Sequence, residues 1–314
     1  MSSVRSSAGP LPMPGARAHG PSVPRRIGGA LRAIAGALRR DRLGLFGAGW
    51  IVVFLLFALF AESIAPYGAQ EFTTDDTGLI AKLQPPSLEH PLGTAALGQD
   101  VLSQIIYGSR SAVIVGFVSA LLVAFVGTAV GLVSGYFRGR TDTVFMRAVD
   151  VAYSMPFEPA ALLLAVVFGA GLEVMIVAMA LLMWRAPARV IRAQVLSLSQ
   201  RPYVKAARCA GASPLRIILR HILPNVLGMS LLYVPIAVGW AVAAEASLSF
   251  LGFGDPERVS WGGMLQLAFS SGEMRDAWWW TVPPGLAIVL LISSSFFVSR
   301  ALEPLTNPQL RGHS

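Results

Sequence analysis

Residues 111–136, SAVIVGFVSALLVAFVGTAVGLVSGY, run for 26 positions without an Asp, Glu, Lys or Arg. About 20 apolar residues in a helix cross a bilayer core about 30 Å thick, so this stretch alone can span a membrane. Two further stretches, Gly44 to Ala61 and Ala277 to Ser299, are equally free of charge, and a fourth, Val226 to Ala244, continues past Glu245 to about Gly254. Between Val151 and Trp184 lies a longer apolar tract that carries Glu158 and Glu173 and is interrupted at Phe168-Gly-Ala-Gly-Leu-Glu173. Two glycines and an acid favour a turn there, so the tract reads as a hairpin of two helices. The expectation is an all-α, polytopic membrane protein with six transmembrane helices.

Composition points the same way. Hydrophobic residues make up 54% of the 314, charged residues 13%, and the mean hydropathy is +0.61, whereas soluble domains hold about 25% charged residues. Cytoplasmic loops of membrane proteins are enriched in Lys and Arg. Of the 25 basic residues here, all but Lys82, Arg110, Arg258 and Arg275 fall in segments that six crossings place on one side. Both termini are therefore expected in the cytoplasm, and the net charge of +8 reflects topology without any need for a nucleic-acid partner. A single cysteine, Cys209, excludes an intrachain disulfide.

The crossings divide the chain. Residues 1–43 read as a cytoplasmic tail, Ser- and Pro-rich at first, then amphipathic from Arg25 to Arg42 with Ile27, Leu31, Ile34 and Leu38 at steps of four, three and four. Residues 44–106 hold the first crossing, taken as an uncleaved anchor, and an external loop expected to pack over the mouth of the bundle. Residues 107–304 form the core with its cytoplasmic loop at 185–224, and 305–314 a second tail. Gly127, Gly131 and Gly135 put small residues on one helix face, a packing signal. Pro156 and Pro235 permit kinks, and Trp278, Trp279 and Trp280 are expected to anchor the last helix at the external headgroups.

The loop from Arg201 to Asn225 has its own grammar. Pro202 suits a first helical turn, Ala206, Ala207 and Ala210 favour helix, and Gly211 is placed to end it in a left-handed conformation. Ser213 and Pro214 supply an N-cap and first residue for a second helix with Leu215, Ile218, Leu219 and Ile222 apolar on one side, and Pro224 is expected to stop it. With no acid between Arg185 and Pro224, the result is a compact basic knob.

These residues resemble the so-called EAA loop of ABC-importer permeases: Lys205-Ala206-Ala207, then Gly211, then Ile222-Leu223-Pro224. His90-Pro-Leu-Gly-Thr94, Leu97-Gly98, Asp100-Val-Leu-Ser103, Gly135-Tyr136, Glu245-Ala-Ser-Leu-Ser-Phe-Leu-Gly252 and Trp261-Gly262 are similar to the second, C-type permease of dipeptide and oligopeptide importers. The resemblance covers about residues 39–311 and implies the type I importer permease fold. It also implies a second homologous permease, two cytoplasmic ABC ATPase subunits or domains that bind ATP and Mg, and an external substrate-binding protein. It further implies that Lys205, Ala206, Ala207, Gly211, Ser213, Pro214, Ile222 and Pro224 couple this chain to the ATPases. Lys205 departs from the pattern, standing where the motif has Glu, and Ala95, Ala96 and Gln99 replace polar or charged residues of the external motif.

Catalysis is not expected. The two lysines, Lys82 and Lys205, belong to no Gly-Lys-Ser/Thr phosphate loop, and no metal-ligand or nucleophile motif occurs. Glu158 and Glu245 lie near or within crossings, toward their external ends. An ionisable group there is by default a candidate for the translocation pathway, with a packing hydrogen bond as the competing reading. The expected function is an ATP-driven importer subunit for di- or oligopeptides or a similar small solute, working by alternating access. A secondary transporter driven by an ion gradient is the alternative.

Overall fold

The structure is a computed structural model and describes residues 33–74 and 78–306. Most of the amphipathic stretch expected from Arg25, and the far C-terminal tail, lie outside the described residues; the end of that stretch, 33–40, is helical. Helix α1 (Arg42–Ile64) starts at Asp41, whose carboxylate accepts from the Leu43 and Gly44 amides at 2.9 and 3.2 Å and so satisfies donors that a helix start leaves orphaned. Helix α2 (Val101–Phe137) has 37 residues and is therefore about 55 Å long. It begins well before the charge-free run, capped by Asp100, and its first turns lie beneath the external loop. There Thr73, Ala81, Thr94 and Ala95 are buried, and His90 Nδ1 sits 3.0 Å from Asp100 Oδ1.

Helices α3 (Gly139–Ser154) and α4 (Phe157–Phe168) meet at 89°. Pro156 lies at the corner and forces Met155 before it into an extended conformation (φ −89°, ψ 119°). Past the glycine turn, α5 (Leu172–Met183) and α6 (Arg185–Leu198) form one apolar helical run of 27 residues. Within the segment 185–224, expected as a cytoplasmic loop, the helix takes up residues Arg185–Leu198. Its Arg189 and Arg192 are neutralised by acids of α3, while Ile191, Val195 and Leu198 are fully or nearly fully buried.

After α7 (Pro202–Cys209) and the short α8 (Pro214–Ile217) comes a wide, five-residue turn, Ile218–Ile222, that leads directly into α9 (Leu223–Leu248). Pro224 thus does not stop the helix as the sequence reading had it. A proline lacks the N–H and crowds the carbonyl four residues back. The wide turn absorbs that fault by joining Leu223 N–H to Ile218 O, and the Asn225 side-chain amide donates to His221 O at 2.6 Å. A second wide turn, Ser249–Phe253, precedes α10 (Trp261–Ser270) and α11 (Trp278–Thr306). Among the described residues five helical runs are long and apolar enough to cross a membrane, and the bent pair α3/α4, if one broken span, brings the number to six. The multi-pass all-α architecture expected from the hydrophobic runs is therefore present.

The tryptophan triplet divides. Trp278 is exposed, but Trp280 is buried and Trp279 Nε1 donates to Thr94 O at 3.3 Å, because consecutive helical residues point in different directions. Two of the three hold the external loop onto the bundle and one is left to meet lipid headgroups.

The glycine face of α2 meets α6. A Cβ on Gly131 would stand 2.8 Å from both Ala188 O and Ile191 Cβ, and one on Gly127 would stand 2.6 Å from the Pro187 ring. Overpacking of this kind costs about 1–3 kcal/mol. Gly131→Val should therefore lower the melting temperature of the detergent-solubilised protein by several degrees, whereas Gly49→Ala, which meets nothing within 4 Å, should leave it unchanged. Asp41 is joined to α11 by Arg300 Nη2 at 2.8 Å, and this hydrogen bond is the main reason its carboxyl is held below the usual range. A depressed carboxylate stabilises above its unfolded pKa, about 3.9, and loses that contribution as pH falls further. The difference in melting temperature between the natural protein and Asp41→Asn should accordingly shrink on acidification through that range.

Candidate functional site

Two regions collect the chemistry, one at the cytoplasmic end and one between α3, α4, α6 and α9. At the cytoplasmic end, α7 closes with paired bonds across its last turn: Ala212 N–H to Ala207 O and Gly211 N–H to Arg208 O, both 3.1 Å. Closure in this form needs a left-handed residue, and Gly211 has φ +77°. Ser213 Oγ then accepts from Arg216 N at 3.4 Å, and Pro214 occupies the first position of α8, as the sequence spacing implied.

Burial sorts the residues of the segment. Lys205, Ala206, Gly211, Ser213, Pro214 and Pro224 are exposed, Ala207 is half-buried, and Ile222 is fully buried. Val204, Ile217, Ile218 and Ile222 anchor the knob against Leu132, Tyr136, Ile191 and Val195. The apolar face expected of Leu215, Ile218, Leu219 and Ile222 is split. Ile218 and Ile222 point inward, while Leu215 and Leu219 are 65% and 53% exposed, beside exposed Tyr203. The wide turn alters the rotation per residue, so a stripe counted at the ordinary helical period misassigns half of it. These three exposed apolar side chains, set among Lys205, Arg216 and Arg220, are the feature that sequence reasoning missed.

Between the two helices α3 and α6 runs a ladder of charges. Arg192 Nε and Nη2 each donate to the Asp142 carboxylate at 2.5 Å, and Ser134 Oγ donates to the same group. Arg189 Nη2 donates to Asp150 Oδ1 at 2.5 Å and stacks on Tyr153, its guanidinium carbon 4.4 Å from the ring centroid. Arg185 stacks on the same ring at 4.8 Å and donates to Ala152 O at 2.8 Å, but has no carboxylate partner among the described residues.

Next to this ladder, α2, α3, α4, α6 and α9 enclose a cavity of about 360 Å³ whose walls include Tyr153, Glu158, Arg185, Tyr233 and Trp240. Glu158 stands in the first turn of α4, just past the 89° corner, and so at the end of that helix opposite the one the sequence reading gave it. Glu245 is elsewhere: it is 2% exposed and accepts from Ser249 Oγ at 2.9 Å. The two acids paired in the sequence reading are not brought together.

Comparison with known proteins follows the same lines. Residues 127–308 match the model of the binding-protein-dependent transport system inner membrane component, and residues 31–86 match the N-terminal TM domain of oligopeptide transport permease C. A peptide transport system permease protein of Brucella suis biovar 1 (strain 1330) is 35% identical over 274 residues, covering 87% of this chain and 89% of its own. The glutathione transport system permease protein GsiD of Escherichia coli O6:K15:H31 (strain 536 / UPEC) is 32% identical over 275 residues, with the same coverage of 87% and 89%. Among solved structures, an inward-facing MetNI methionine ABC transporter chain superposes with TM-score 0.51 at 19% identity, over 66% of this chain and 98% of that one. The shared fold is that of a type I importer permease.

The left-handed turn at Gly211 offers a direct test. A Cβ there meets nothing within 4 Å, so the penalty for another residue is conformational, about 1–2 kcal/mol for an L side chain and more for a β-branched one. Gly211→Val should speed hydrogen exchange at the amides of Gly211's successor Ala212 and of Ala210 by at least about tenfold. Gly211→Asn, which tolerates the conformation, should leave both protected.

Proposed function

The chain belongs to the family of binding-protein-dependent transport system inner membrane components, and on that footing we propose that it carries di- or oligopeptides, or a similar small solute, across the cytoplasmic membrane. It is a multi-pass permease subunit of an ABC importer, and ATP is hydrolysed by separate subunits. Such subunits work with ATPases and substrate-binding proteins, and family membership leaves the secondary-transporter alternative without support. The peptide reading rests on the names of the relatives from Brucella suis and Escherichia coli and on the match at residues 31–86 to an oligopeptide permease domain.

In this reading the chain pairs with a second homologous permease, two ATPase subunits or domains hold ATP and Mg below it, and an external binding protein delivers cargo above. Residues Lys205, Ala206, Ala207, Gly211, Ser213, Pro214, Ile222 and Pro224 form the coupling element. The observation that carries this assignment is the knob's construction: a closed helix-turn-helix with its anchors, Ile217 and Ile222, fully buried. Its outer surface is basic, with Tyr203, Leu215 and Leu219 exposed. A partner groove with acidic rims and an apolar floor would bury those three side chains, and Ile222 would pass the displacement into α9. Lys205 reverses the sign of the acid found in the family motif, so charge pairing at that position is with an acid of the partner. Alternating access then follows from rocking of the helix bundle.

The experiment is peptide uptake into proteoliposomes holding the permease pair, the ATPases and the binding protein. Uptake should require ATP, and Gly211→Val should reduce it at least about tenfold, since a misplaced coupling element acts on every turnover. Normal uptake by the assembled Gly211→Val complex would remove the segment from the coupling role. Leu215→Asp, which places a charge in the apolar part of the docking face, should lower ATPase co-purification with the membrane subunits.

A further inference from the structure

The charge ladder between α3 and α6 is closed at two rungs and open at the third. Asp142 neutralises Arg192 and Asp150 neutralises Arg189. Arg185, four residues from Arg189 on the same helix, has no acid opposite it among the described residues. Glu158 has no basic partner among them either. Yet both line one cavity of about 360 Å³ without forming an ion pair. Glu158 is exposed to the chamber and Arg185 half-buried beside it, so both charges face the same space. Their separation within one chamber leaves each available to a ligand.

The remaining walls narrow the ligand class. Tyr153 holds Arg185 by stacking and by its position beside Ala152, so one guanidinium edge is fixed and the other donors are free. Tyr233 and Trp240 present aromatic surface opposite, and Ser247 adds a hydroxyl. A planar guanidinium suits a carboxylate, and a carboxylate with aromatic rings nearby suits an ammonium. The volume lies near the lower end of the about 300–1,000 Å³ usual for small-molecule pockets, so the ligand is short.

We propose that this cavity is a transient site for a short zwitterionic peptide, Arg185 receiving its carboxylate and Glu158 its ammonium group, with Tyr153, Tyr233 and Trp240 against its side chains. The proposal rests on the peptide-import reading and adds selectivity within the permease itself. The cargo's own charges complete the third rung of the ladder, and a solute lacking one of them forgoes one of the two charge-assisted contacts.

The test uses the complete importer in proteoliposomes and radiolabelled Ala-Ala as the probe. Glu158→Gln and Arg185→Gln should each lower Ala-Ala uptake at least about tenfold, the loss expected when a charge-assisted hydrogen bond is removed. Arg185→Lys should retain most of the uptake, and the exchanged pair Glu158→Arg with Arg185→Glu should recover part of what the single changes lose. Complex yield and elution volume on size exclusion monitor assembly. Uptake by both single variants at the natural rate overturns the cavity assignment and leaves peptide import standing. So does loss in the single variants that tracks loss of assembly and is not relieved by the exchange. Failure of the natural complex to import any peptide overturns the functional reading itself.

Discussion

The close approach of α2 to α6 at Gly127, Gly131 and Gly135 is the contact on which the other arrangements depend. Without side chains there, backbone meets backbone, and Cβ atoms at these sites would stand 2.6 to 2.8 Å from Pro187, Ala188, Ile191 or Val195. In lipid, helices gain little from the hydrophobic effect on associating, so such dense packing is what fixes their relative height and rotation. Once α6 is fixed on α2, Arg192 and Arg189 are set at the level of Asp142 and Asp150, which positions α3. The corner at Pro156 then turns α4 away from α3 by 89°, and the cavity lies beside that corner.

The same contact governs the cytoplasmic end. Ile191 and Val195, on the side of α6 that meets Gly131 and Gly135, also receive Ile217, Ile222 and Val226. The knob between Arg201 and Pro224 is thus seated on the fixed pair, and Thr128 Oγ1 to Ser230 Oγ, 2.9 Å, joins α2 to α9 just beyond it. The knob therefore runs into α9 through packed residues, with no loose loop between them.

Much of this was legible in the residues. Charge-free runs revealed the crossings, because the bilayer sets their length. Ser213-Pro214 and Gly211 revealed caps, because those residue types answer backbone demands that are purely local. What stayed hidden depends on tertiary context. The extension of α6 past Arg185 requires knowing that Asp142 and Asp150 wait on another helix. The passage through Pro224 requires a wide turn that no local pattern announces. The division of Trp278 from Trp279 and Trp280 depends on an external loop whose Thr94 lies 185 residues upstream of Trp279. Glu158 and Glu245 carry the same side chain in similar apolar settings, and only their surroundings separate one bonded to Ser249 from one facing a cavity.

From Pro214 to Phe253 the chain is a single helical run of 40 residues, about 60 Å from end to end, or twice the thickness of the hydrocarbon core. Its ordinary α-helical length lies between two wide turns, Ile218–Ile222 and Ser249–Phe253. Between those turns lies Pro235, which removes a backbone donor from the ladder, and Gly252 bends the outer turn with φ +89°, so the run is a chain of short rods and not one rigid bar. A helix that is broken at known points can change direction there without losing the backbone hydrogen bonds of the segments between.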